Sequence, residues 1–137
     1  MDANNWNGLE IAWILAEVPL GKRQAAQDAG HIVVTDLTVY HVTDAANVAD
    51  IQDNGIIAYS SRQSYDRPYA VYFFVVRDEI DADTLANLGI ANPVVLTVNI
   101  PAADVLTKMQ WDGLYNVAFG TASAVQFLGN VPAAWIK

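Results

Sequence analysis

The chain has 137 residues, 53% apolar and 16% charged, with 15 Asp plus Glu against 7 Lys plus Arg for a formal net charge of −8. Such a composition predicts one folded domain over residues 1–137 and excludes disorder, while a surface this negative repels phosphate backbones and argues against a nucleic-acid partner. The absence of cysteine excludes disulfide scaffolds, thiolate metal centres and cysteine nucleophiles.

Taken in chain order, the first 30 residues read as an N-terminal helical segment. A helix is predicted from Trp6 to Val18, with Trp6, Leu9, Trp13 and Ala16 on one face and Pro19 and Gly21 as its stop. A second short helix covers Lys22 to Ala29, ended by Gly30. The β-branched runs His31–Thr35 and Leu37–Val42 read as extended. Thr43 or Asp44 caps a helix to Asn54, with Val48 and Ile51 inward and Gly55 as its stop. Ile56 to Tyr59 is a short strand, and Ser60 to Pro68 is a polar loop. Ala70 to Val76 is apolar throughout and reads as a central strand. Asp81 or Asp83 starts a short helix that Gly89 ends. Val94 to Ile100 is a strand, and Pro101 opens a helix through Lys108. Trp111 to Gly120 is mixed, with a turn at Asp112-Gly113. Ala122 to Leu128 is the last strand, followed by Gly129-Asn130 and Val131 to Ile136. The four tryptophans, Trp6, Trp13, Trp111 and Trp135, read as core or interface anchors. Short helices alternate with strands, yet none is long enough for parallel crossovers. The predicted fold is α+β, with a mostly antiparallel sheet and short flanking helices.

Several site classes find no support. There is no glycine-rich phosphate loop and no GxSxG elbow. Asp50 to Ser61 imitates a calcium loop, but Ser61 stands where the bidentate Glu belongs. His31 and His41 form no metal-binding pattern, so no metal is expected. The longest apolar stretch, Ile11 to Leu20, is interrupted by Glu17 and is too short for a bilayer. With no basic N-terminal cluster, the sequence reads as cytoplasmic, with no membrane partner.

The remaining signal is an ordered set of segments. Tyr40-His41-Val42-Thr43 ends a strand, and Asn47-Val48-Ala49-Asp50-Ile51 is followed by Asn54-Gly55-Ile56. Val71-Tyr72-Phe73-Phe74 is the apolar strand, and Gln126-Phe127-Leu128 precedes Val131-Pro132-Ala133-Ala134-Trp135-Ile136. Over about residues 37–137 this order resembles the ADP-ribosyltransferase superfamily, in its histidine–tyrosine–glutamate branch. The resemblance is to small bacterial and phage-type members.

The resemblance implies a split antiparallel sheet with NAD, as substrate, in the cleft. His41 then matches the first-strand histidine on the adenosine-side ribose, and Thr43 the supporting hydroxyl. Tyr72 matches the tyrosine that stacks on nicotinamide. Gln126 matches the position that is usually Glu. The implied activity is transfer of ADP-ribose from NAD to a protein target, as an effector, toxin or phage anti-defence protein. Gln126 departs from the pattern, because it keeps a carbonyl but loses the charge. The alternative is therefore a degenerate module that binds a nucleotide or a protein without catalysis. Asp112 is a candidate for the missing charge, and Arg62 and Arg67 are candidates for the NAD pyrophosphate.

Each residue also has a plainer reading. His41 is satisfied by a neighbouring carbonyl, Thr43 is a helix cap, Tyr72 packs the core, and Gln126 faces solvent. Arg62 and Arg67 pair with Asp66.

Overall fold

The computed structural model describes residues 6–58 and 70–137, with side chains from residue 10 onward in the first stretch. The element order is α1 (Trp6–Glu17), α2 (Leu20–Asp28), β1 (Leu37–Asp44), α3 (Val48–Asn54), β2 (Val71–Phe74), α4 (Ala82–Leu88), β3 (Pro93–Ile100), α5 (Ala102–Lys108), β4 (Met109–Trp111), α6 (Gly113–Phe119) and β5 (Ala124–Phe127). Single 3-10 turns sit at Ala45–Asn47, Arg77–Glu79 and Ala133–Trp135. The five strands form one sheet in the order β3-β1-β2-β5-β4, with every neighbouring pair antiparallel. This is the α+β architecture that the alternation of short elements implies.

Strand alternation divides the core in two. Leu37 and Val39 of β1, Val71 and Phe73 of β2, Leu96, Val98 and Ile100 of β3, and Val125 and Phe127 of β5 point to the larger cluster. Ile11, Ala12 and Leu15 of α1 join it, as do Val105 and Leu106 of α5. Val42, Phe74 and Ala124 face the other way, into a smaller cluster with Tyr40, Leu85, Leu88, Val95 and Tyr115. The N-terminal helices therefore cover the sheet: α1 packs on β1 and β4, and α2 on α5.

The buried stripe of α1 differs from the predicted one. Trp13 is 66% exposed and Ala16 is also exposed, whereas Ile11, Ala12 and Leu15 are buried. The segment Ile11 to Ala16 is apolar on every side, so periodicity offers two stripes and packing selects one. Trp6 and Leu9 lie outside the residues whose side chains are described.

His31–Thr35 is not a strand. It carries the chain from α2 to β1, with Val33 exposed and the Val34 amide donating to Gln27 Oε1 at 3.0 Å. A β-branched run specifies extended backbone, not a ladder partner. Ile56 likewise makes only an isolated bridge to Val131, and Tyr59 lies outside the described residues.

Helix ends follow local chemistry. Asp44 Oδ1 accepts from the Ala46 amide and Asp81 Oδ1 from the Thr84 amide, each at 2.9 Å. Gly55 stops α3 with φ +81°, and a Cβ there would lie 2.1 Å from the Val131 carbonyl oxygen. Only glycine combines that φ with so close an approach.

Candidate functional site

The sheet opens between β1 and β2. β1 pairs with β3 over eight residues, from Leu37↔Ile100 to Asp44↔Pro93, but with β2 only at Tyr40↔Phe74. Continued pairing would set Val42 opposite Tyr72. Instead the His41 ring enters the gap, with Nδ1 2.8 Å from the Tyr72 carbonyl oxygen. That carbonyl accepts only from a protonated nitrogen, so the neutral ring carries its hydrogen on Nδ1. Phe73 packs edge-on against the ring, with centroids 5.6 Å apart. The ring is buried, and that burial pushes its pKa below the ordinary histidine value, partly opposed by the bond to Tyr72.

A cleft of about 1160 Å³ occupies this opening. His41, Val42 and Thr43 of β1, Tyr72, Phe73 and Phe74 of β2, and Ala124 of β5 form its strand side. Residues of α3 and α6 and the segment Asn87–Ala91 complete it. A dinucleotide is of a size to be bound in such a volume.

Three of the expected site residues border this cleft together: His41, Thr43 and Tyr72. Thr43 is buried and lies 3.5 Å from Asn47 Nδ2, but it is not the helix cap, since Asp44 makes that bond. Tyr72 is only half-buried and stands on the sheet face opposite to His41, by alternation along the paired strands.

Gln126 sits directly across from Tyr72 on β5, and Gln110 across from Gln126 on β4. The three side chains form one row on one face. Gln126 is 8% exposed, so it does not face solvent, and it is not among the residues lining the cleft. Its Nε2 donates to Gln110 Oε1 at 3.1 Å, while its own Oε1 is buried with no hydrogen-bond partner.

Asp112 does reach the cleft wall. It is buried, and its carboxylate accepts from the Tyr115 amide at 3.2 Å, capping α6. Arg62 and Arg67 lie outside the described residues. Among the described residues, no lysine or arginine lines the cleft, whereas Asp44, Asp50 and Asp112 do. Among the described residues there is also no group of three His, Asp or Glu placed to hold a metal ion.

The sequence reading missed α6 and β4. Asp112 at the start and Gly120 at the end, with φ +65°, are ordinary capping signals that the Asp112-Gly113 turn obscures. Asn116 fixes this helix to β5: its Nδ2 donates to the Ala124 carbonyl at 2.8 Å, and its Oδ1 accepts from the Ala124 amide and the Thr121 hydroxyl. A lone Asn inside a mixed segment carries no signal of that clamp.

No protein-family model and no curated protein matches this chain. Among the described residues, no helix is long and apolar enough to cross a membrane.

Proposed function

We propose that the cleft binds NAD and that the chain transfers ADP-ribose from it to a basic protein. The observation that carries this reading is that His41 and Tyr72 border the cleft at the splayed β1–β2 pair, with Gln126 beside Tyr72 on β5 but outside the lining. Those are the three positions that carry the resemblance. In this mechanism NAD spans the β1–β2 opening that both residues border, with nicotinamide on the Tyr72 ring at one sheet face and a ribose hydroxyl at Nε2 of His41, whose Nδ1 hydrogen the Tyr72 carbonyl holds. The nicotinamide–ribose C–N bond breaks with its electron pair leaving on nicotinamide. A nucleophile of the target protein then bonds to the anomeric carbon and loses its proton to solvent. The acidic walls, Asp44 and Asp50, favour a cationic target over a nucleic acid. The pyrophosphate of NAD carries two negative charges, and in this reading Arg62, Arg67 and backbone amides hold it.

A second reading is binding without catalysis. It is favoured by Gln126, whose amide is engaged with Gln110 and places no carboxylate beside Tyr72. One pair of measurements separates the two. NAD at a hundredfold excess over Kd raises stability by about 2.7 kcal/mol, seen as a higher melting temperature. Nicotinamide release then reports turnover. Gln126→Glu restores one charge to a closed site, and such a contact is worth about a hundredfold in rate. A melting temperature unmoved by NAD refutes the transferase reading and nucleotide binding, leaving of the second reading only a protein-binding module. Binding with no release, in wild type and in Gln126→Glu, leaves the binding module.

A further inference from the structure

Helix α6 is exposed on a face that has no charge. Its sequence from Gly113 to Phe119 contains no ionisable group except Tyr115. Leu114, Val117 and Ala118, at helical spacings of three and four, point outward together. Leu114 is 59% exposed and Val117 78%. Phe119, at the end of the helix, lies on its other side against Tyr115, with ring centroids 4.5 Å apart and planes tilted by 37°. Ile57, itself 65% exposed, faces the same cleft as Leu114 and Phe119. A contiguous apolar stripe of this kind marks a contact surface rather than a scattered exposed residue.

What flanks the stripe defines its partner. Tyr115 and Phe119 also line a second, shallower depression of about 670 Å³, which carries Asp78, Glu79, Asp81 and Asp83. On the other side lies the cleft with Asp44 and Asp50. Among the described residues, neither depression is lined by a lysine or arginine. The field is felt locally: the Tyr115 pKa is raised first by burial and then by Asp112, Asp81 and Glu79.

We propose that α6 and the acidic depressions beside it dock a basic amphipathic helix of another protein, whose apolar side chains cover Leu114, Val117 and Ala118 while Lys or Arg beside them meet the neighbouring carboxylates. The charge balance selects this occupant. A second copy of the chain brings acid against acid, as its net charge is −8. An anionic membrane or a nucleic acid meets the same repulsion. The apolar stripe supplies affinity, and the acids supply orientation and on-rate.

The test uses the full chain without NAD, so it is independent of the nucleotide reading. The probe is a fluorescein-labelled synthetic amphipathic helix with Leu and Phe on one face and Lys on the other. Anisotropy is expected to show binding that weakens with added salt. A Leu114→Ser/Val117→Ser variant is expected to bind about tenfold or more weakly, and Asp81→Asn/Asp83→Asn to lose most of the salt dependence. Both sites are exposed, so melting temperatures stay near wild type. Should the double serine variant not fold, Val117→Glu alone replaces it, with the same loss expected. Equal binding of a twin peptide with Glu for Lys overturns the proposal. So does unchanged affinity in the α6 variants, loss that instead follows Trp13→Ser, self-association through α6, or binding to phosphatidylglycerol vesicles in place of the peptide.

Discussion

Arg23 is 1% exposed, an unusual place for the most strongly basic side chain. Its Nη1 donates to the Met109 carbonyl at 2.6 Å and to the Leu106 carbonyl at 3.2 Å, with Val105 at 3.4 Å. These are the last carbonyls of α5 and the first of β4, at the negative end of the helix dipole; Val105 also accepts from the Met109 amide, so the two close bonds at Leu106 and Met109 carry the argument. Replacing Arg23 by Met keeps volume and apolar stem but deletes both close bonds. A hydrogen bond to a charged donor is worth about 1.5–3 kcal/mol, so two of them amount to about 3–5 kcal/mol once part of the guanidinium's desolvation cost is returned. For a domain of this length about 3.5 °C of melting temperature follows each kcal/mol, giving a drop of about 10–17 °C. Arg23→Lys should recover part of this, since an ammonium reaches one carbonyl but cannot fork. Differential scanning calorimetry of the three proteins measures it. A Met variant within about 1 kcal/mol of wild type would refute the reasoning, and would mean that α5 tolerates its open end inside the core.

Three further outcomes follow from the same geometry. Gly55→Ala should cost about 3 kcal/mol or more, because it adds left-handed strain and a clash with the Val131 carbonyl; urea unfolding checks it, and an unchanged midpoint would show the Val131 segment free to retreat. Because the His41 pKa is lowered in the folded chain, the unfolded chain binds the proton first, so stability present above about pH 6.5 is lost as pH falls, at up to about 1.4 kcal/mol per pH unit. His41→Gln should remove that slope, and parallel wild-type and variant curves between neutral and mildly acid pH would refute it. Asn116→Ala should destabilise by about 1–3 kcal/mol, since the buried Ala124 amide loses the Asn116 acceptor while the Ala124 carbonyl keeps the Asp112 amide; hydrogen exchange at Ala124 reports the opening.

Much of the fold is legible because short-range chemistry states it. Asp44, Asp81 and Gly89 mark helix ends in the sequence, and they mark them in the structure. The strand Val71–Phe74 is visible as an unbroken apolar run because both faces are covered, one by each core cluster. Long-range choices are not visible. Nothing in the sequence around Arg23 marks it as buried; tertiary packing carries the α5 carbonyls to it. The face of α1 is chosen by what it packs on, not by its own pattern. The site divides the same way: the order of Tyr40-His41, Tyr72 and Gln126 can be read from the chain, while the row Tyr72, Gln126, Gln110 depends on a register between β2, β5 and β4 that no local motif encodes.

Charge joins these strands of reasoning. Of the seven bases, Arg23 is committed to the end of α5, Lys108 stands 3.6 Å from Asp104 within its own helix, and Arg77 reaches the Ile80 carbonyl at 3.4 Å. The cleft is thus walled by acids at Asp44 and Asp50 and by the hydrophobic surfaces of Ile57 and Leu114. Such walls attract cations from solution and repel anions. In the proposed reading a dinucleotide entering there would trade that repulsion against contacts at Tyr72 and His41, and its affinity is expected to depend on salt. A basic polypeptide meets no such conflict. The same field that opposes a bound pyrophosphate favours a cationic partner on this face of the protein.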